Sequence, residues 1–364
     1  MEYGNYIYAP VIRTRTSELQ GIAELREETK VKLLPRVDLA KLGQNHSVNN
    51  SLDQWLSSFS GPAILNLAPY EKLRVSEYDD LVDSSNNFRQ WISFVEKSKC
   101  VNESLIPSII YNNKVTKREF VKQVHELESQ FNKIVLTVDP RKERDIQAAL
   151  EAATVVNDID NLLIILDCGQ INPSRQKLAL ESTLDAINRL RSIDTSVEIV
   201  TASTSFPKSF ASYCSDTAGE KGVIPMLEWD NYHTLGGRDV AIYGDYASVH
   251  GEFYETRGVF VARVDYPTPS EWIFERRRKL TDDQTGKQLY QLAAQEMINN
   301  EVWDDDLDLW SSNIIRKVSK GEIEKFASPS KWISVRVNLY IERIVDFLES
   351  GITPVLQEDE EVYW

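Results

Sequence analysis

Lys133-Ile134-Val135-Leu136-Thr137-Val138-Asp139-Pro140 and, one helical pattern later, Asn161-Leu162-Leu163-Ile164-Ile165-Leu166-Asp167-Cys168-Gly169 decide the fold of this chain. In both, an apolar run delivers one aspartate where a parallel strand leaves the core. Similar strand-like runs occur at 6–13, 31–39, 62–69, 105–112, 196–204 and 238–247, eight in all before residue 250. Helix patterns or loops separate them. Strands alternating with helices imply a parallel sheet covered on its outer face, and eight such units are the number that closes a TIM-type barrel. The expectation is an α/β, TIM-barrel-like (β/α)8 barrel over 1–250. A C-terminal β-hairpin and helical appendage over 251–364 should pack on it.

The best helix pattern is 116–131, where Phe120, Val121, Val124, Leu127 and Phe131 share one face and Thr116 with Glu119 forms a capping-box signature. The stretch 174–193 places Leu178, Leu180, Leu184, Ile187 and Leu190 on an apolar face after Pro173. Further helices are expected at 17–30, 86–97 and 143–156. A polar loop at 43–50 leads to a short helix near 52–59. The segment 223–229 should be a short helix or an extended entry to the eighth strand. Beyond residue 250, 259–265 and 271–276 alternate like a hairpin around Tyr266-Pro267-Thr268-Pro269-Ser270, and helices follow at 286–300 and 331–350.

Composition narrows the functional classes. Hydrophobic residues are 42% and charged residues 27% of 364, ordinary for a globular domain. No apolar run approaches the roughly 18–20 residues of a membrane span, and Met1-Glu2-Tyr3-Gly4-Asn5-Tyr6 does not read as a secretory signal. Cys100, Cys168 and Cys214 are scattered, which points to a reducing, cytoplasmic setting. The net charge of −15 argues against non-specific nucleic-acid binding by the whole surface. Local basic runs remain at Arg276-Arg277-Arg278-Lys279 and Arg141-Lys142-Glu143-Arg144, either of which reads equally as a solvated face.

The strand ends supply the candidate chemistry. Asp38, Asp139, Asp167 and Asp245 lie where parallel strands carry active sites. Asp139, before Pro140, reads as a helix cap. Asp167 is either a site residue or a brace for the following loop. Asp38 and Asp245 could share one rim with Arg13 and Arg15. Converging carboxylates hold a divalent cation or act as acid and base, and the alternative is an ion-pair network bracing the rim. The hydroxyls of Thr201-Ala202-Ser203-Thr204-Ser205 lack a GxSxG elbow, and His46, His125, His233 and His250 show no metal-ligand spacing.

Four segments resemble the beta family, named after a beta protein of a T-even bacteriophage. They are Tyr8-Ala9-Pro10-Val11-Ile12 with Glu18, Leu34-Pro35-Arg36-Val37-Asp38, Ile224-Pro225-Met226-Leu227-Glu228-Trp229, and Tyr243-Gly244-Asp245-Tyr246. Met226 stands where the family usually shows arginine. The resemblance implies a phage–host setting and raises Glu228, Trp229 and Asp245 as site candidates.

The expected function is a component of a phage-defence or phage-encoded counter-defence module. If catalytic, it would hydrolyse a phosphate-containing small molecule or nucleic-acid end. Asp38, Asp167, Asp245 and Glu228 are the catalytic candidates, with a divalent cation as the cofactor to look for. Arg13, Trp229, Tyr246 and Arg276 are the substrate-binding candidates, and Glu228 with Trp229 could wall a pocket for a flat ring. The alternative for that pair is core packing for Trp229 and a Glu228 ion pair with Arg36 or Arg263. The rival function is a non-catalytic acidic protein that binds a basic partner from the same module, or mimics nucleic acid, through 304–308 and the acidic tail 357–364.

Overall fold

The computed structural model describes residues 2–43, 46–216, 218, 220–253 and 261–352. The acidic tail 357–364 and the first residues of the expected 259–265 strand lie outside them. In chain order the first half runs β1 (Val11–Arg13), α1 (Thr16–Ala23), α2 (Glu27–Lys30), β2 (Arg36–Leu39), α3 (Val48–Leu56), β3 (Ala63–Leu67), α4 (Tyr78–Leu81), α5 (Arg89–Val101) and β4 (Leu105–Pro107). Then come α6 (Lys117–Phe131), β5 (Ile134–Val138), α7 (Glu143–Val155), β6 (Leu162–Gln170), α8 (Pro173–Arg191), β7 (Glu198–Thr204), β8 (Lys221–Pro225), α9 (Leu227–Thr234) and β9 (Ile242–Gly244). The remainder is β10 (Val261–Pro267), β11 (Glu271–Arg278), α10 (Gly286–Ile298), α11 (Trp310–Ser319) and α12 (Pro329–Ser350).

The α/β expectation is met, with parallel pairing throughout the body. The ladders divide into two four-stranded parallel sheets, β1-β2-β3-β4 and β5-β6-β7-β9, rather than one continuous ring. Two parallel bridges lie between them, Ser108 with Val135 and Tyr8 with Tyr243. The Val11 amide also donates to the Asp245 carbonyl at 2.7 Å. One apolar cluster draws Ala9, Leu34, Ile64 and Ile106 from the first half and Val135, Ile165, Val200 and Ile242 from the second. The larger core lies where the strands meet the helices, with Trp55, Trp91, Phe120 and Leu127 among its members.

Local sequence explains the helix boundaries. Thr116 and Glu119 close the capping box at the start of α6. Asn172 accepts from the Arg175 amide before Pro173 at the start of α8. The face of α8 differs from the expected one. Ala179, Thr183, Ala186, Ile187 and Leu190 are buried, while Leu178 and Leu184 are exposed. The spacing 4, 3, 1, 3 makes a narrow stripe of mainly small residues, and these pack where the longer leucines were expected. The 17–30 helix is broken in two because Arg26 takes an extended conformation, with its amide donating to Glu342 on α12.

The expected hairpin is β10–β11, and it gains a third strand. β8 pairs antiparallel with β11, Gly222 opposite Phe274. A side chain at Gly222 would collide with the Tyr213 carbonyl, which explains why glycine stands there. The helices α10, α11 and the front half of α12 cover the hairpin through Tyr290, Met297, Ile315 and Trp332. The rear half of α12 enters the main core through Val337, Tyr340, Ile344 and Phe347. No described helix is long and apolar enough to cross a membrane.

Candidate functional site

β2 and β6 bring an arginine and two aspartates together at the strand ends. Arg36 is buried, with Nη1 2.7 Å from Asp167 Oδ2 and Nε 3.3 Å from Asp38 Oδ1. Its burial opposes the charged form, but the Asp38 and Asp167 carboxylates overcome this and raise its pKa above the ordinary value. Asn66 on β3 donates to Asp38 Oδ1 at 2.8 Å. Tyr246 donates to Asp167 Oδ2 at 2.8 Å, and the Arg36 guanidinium lies 5.9 Å from the centre of the Tyr246 ring. Asp167 also accepts from the Gly169 amide at 2.8 Å. Gly169 has φ of 58°, which glycine adopts without the steric cost a side chain would bring. Asp167 therefore braces its loop, one of the two alternatives read for it, and also lines the cavity above.

That cavity has a volume of about 320 Å³ and is lined by Arg36, Asn66, Asp139, Arg141, Asp167 and Tyr246 among others. Asp139 is not the cap of the next helix. The residue preceding α7 is Lys142, which makes no capping bond. Asp139 instead accepts from the Arg141 amide and side chain and pairs with Lys142 at 3.2 Å. Burial raises its pKa, and the Arg141 and Lys142 contacts more than offset this, leaving it below the usual aspartate value. The basic run at 141–144 thus supplies two cations to the cavity wall.

The other candidates lie elsewhere. Asp245 does not reach a rim. It is fully buried and accepts from Tyr8, Tyr243 and Tyr340 hydroxyls and from the Ala247 amide at 2.7 Å. Burial raises its pKa, partly offset by these bonds. Asp38, Asp167 and Asp245 therefore do not share one cluster, because three tyrosines close Asp245 off. Among the described residues no group of three or more His, Cys, Asp or Glu side chains could hold a metal ion.

Trp229 is fully buried and packs edge-on against Tyr243, with ring centres 5.2 Å apart, so it walls no open pocket. Glu228 is buried beside it. It accepts from the Ser205 amide at 2.8 Å, while Arg36 and Arg263 face Asp167 and Asp265. Burial pushes its pKa up to about 8. It borders a pocket of about 20 Å³ with Thr201 and Tyr232, room for one water and no ring. Arg13 sits opposite Asp38 in register, but its guanidinium donates to the His250 and Gly251 carbonyls at 2.9 and 2.8 Å. Arg276 belongs to the hairpin sheet, opposite Arg263, and not to the strand-end cavity. Arg277 in the same run pairs with Glu275 at 3.3 Å.

The four segments picked out in the sequence converge. Tyr8 meets Asp245, Glu18 accepts from the Arg13 amide at 2.8 Å, Arg36 meets Asp167, and Trp229 meets Tyr243. Tyr340 completes the Asp245 cluster from α12. The Tyr340→Phe substitution, which removes one donor and keeps the ring, is expected to cost about 1–2 kcal/mol. Urea denaturation measures it, and an unchanged midpoint would show that the hydroxyl contributes nothing.

Fold and site together define a mixed α/β protein whose parallel strands deliver a buried arginine–carboxylate cluster to a polar cavity. The chain belongs to the Beta protein family, whose model matches residues 8–346. It is 29% identical over 350 residues to "Protein beta" of Enterobacteria phage P4, covering 96% of this chain and 95% of that protein.

Proposed function

We propose that the chain acts in the cytoplasm, in a phage-related module engaged in defence or counter-defence, and takes a phosphate-containing small molecule or nucleic-acid end beside Asp167. The supporting observation is the Asp167 carboxylate, which lines the strand-end cavity while Arg36 and Tyr246 fix its orientation. Arg141 and Lys142 on the same wall suit a phosphate. In hydrolysis, Asp167 would accept a proton from water as the water oxygen bonds to phosphorus. The proton would then pass to the departing oxygen. We further read the two parallel sheets as halves of one (β/α)8-type barrel over 1–250, with 251–364 as its appendage. The bridges at Ser108–Val135 and Tyr8–Tyr243 support this.

The test is turnover of bis(p-nitrophenyl) phosphate together with plaque formation on a host making the chain. The Asp167→Asn protein is expected to lose about 100-fold or more in turnover and to lose its effect on plaques. Equal turnover and equal plaque counts for the variant, at equal abundance, would remove Asp167 from the chemistry.

A second reading is a non-catalytic protein that binds a basic partner of the same module. Its support is the exposed Asp304, Asp305 and Asp306, on a loop whose Asp305 and Leu307 carbonyls accept from Arg316 at 2.6 and 2.8 Å. Salt-sensitive capture of a partner, lost on neutralising these three and kept in Asp167→Asn, favours it.

A further inference from the structure

We propose that a second cavity, between the parallel-sheet body and the C-terminal appendage, is a binding site for a small phosphate-bearing anion. It has a volume of about 370 Å³, within the range of small-molecule sites. Tyr246 lines the strand-end cavity, whereas Val249 and His250 line this one. Its occupancy does not depend on chemistry at Asp167.

Charge is the first argument. Among its described lining residues five are arginine or lysine and two are glutamate, in a chain whose net charge is −15. One of the glutamates, Glu18, is engaged by the Arg13 amide. Asp265 lies next to the site and answers Arg263 and Arg336 together, at 2.8 and 3.0 Å. Among the described residues lining the cavity, cations outnumber carboxylates.

Arg336 is the second argument. Its side chain is 9% exposed, and its guanidinium stacks 4.3 Å from the centre of the Phe206 ring. One amine group is held by Asp265, but Nε has no hydrogen-bond partner. A buried donor without an acceptor is unfavourable. An anionic oxygen in the cavity would supply the acceptor, and the planar fork is suited to phosphate. Packing against aromatic rings orients this arginine in advance, and Arg15 is placed the same way, 5.4 Å from the centre of the Phe253 ring.

The backbone adds to this. Ser17 in the first turn of α1 lines the cavity, and α1 has no side-chain cap on its first N–H groups. Helix N-termini favour anions through these N–H groups and the helix dipole. Cations from β1, from Arg15 just before α1, from β10 and from α12 surround the space from several sides. That geometry matches an anion with several charged oxygens better than a single carboxylate.

Calorimetric titration of the full chain at low salt tests the site, with tripolyphosphate and ATP as probes and adenosine as the control. The expected result is saturable binding of one or both anions, weakened about tenfold in Arg15→Ala and in Arg336→Gln. Lys122→Ala, on the exposed face of α6 and lining neither cavity, should leave the affinity unchanged. Tripolyphosphate binding identifies a phosphate chain as sufficient, and binding of ATP alone shows that the nucleoside is also read. If Arg336→Gln does not fold by circular dichroism, the half-buried Arg15→Ala decides. Absence of saturable binding by both anions, adenosine binding as tight as ATP, or affinity kept in Arg15→Ala overturns the proposal.

Discussion

Replacing Arg36 by alanine is expected to destabilise the protein by about 3–5 kcal/mol, the cost of breaking a buried ion pair by removing one partner. Arg36 is the shared counter-charge of Asp38 and Asp167, and all three lie on β2 and β6. Without it two carboxylates face one another with only the Asn66 amide, the Tyr246 hydroxyl and the Gly169 amide to answer them. Urea denaturation at neutral pH measures the loss. Arg36→Lys, which keeps the charge but not the fork, should lie between wild type and alanine. Removing all three charges with Arg36→Met, Asp38→Asn and Asp167→Asn should recover much of the deficit, since the penalty comes from unpaired charge. A loss below about 1 kcal/mol in Arg36→Ala would mean that the cluster is solvated and not a brace.

The second large effect is a dependence on pH set by Glu228. Its folded pKa is raised from 4.5 to about 8, chiefly by burial. The folded protein therefore binds a proton that the unfolded chain has released, and stability from this group falls as pH rises. The contribution is fully present below about 4.5 and is lost by the time pH passes about 8. Such a shift corresponds to roughly 4–5 kcal/mol between the two protonation states. Glu228→Gln keeps the neutral shape and should flatten this part of the profile between pH 5 and 9. Parallel wild-type and variant stability curves across that window would show that Glu228 does not carry the titration.

Much of the body was legible because it rests on local rules. Apolar runs located the parallel strands, and Thr116 with Glu119 located the start of α6. The third strand of the hairpin was not legible, since 221–225 alternates weakly and takes strand form only through pairing with β11. The site was half legible. Asp167 stands out as an aspartate closing an apolar run, but its contact with Tyr246 did not. Asp245 carries the same local signal, yet Tyr8 and Tyr340, far away in sequence, enclose it. The role of Arg36 was signalled only by a charge inside a strand, two residues before Asp38. Trp229 allowed two readings, pocket wall or core packing, and three-dimensional packing places it in the core.

The Asp245 cluster also bears on the order in which the chain can mature. Its four donors come from Tyr8, Tyr243, Ala247 and Tyr340, the last on α12. During synthesis the first and third quarters of the polypeptide emerge long before α12. Until that helix docks, the carboxylate lacks one hydroxyl and keeps its water. The helix also brings Glu342 to Arg26 and Thr29. Final desiccation of the interior thus waits on α12, which works as a latch that closes over parts of the chain made well before it.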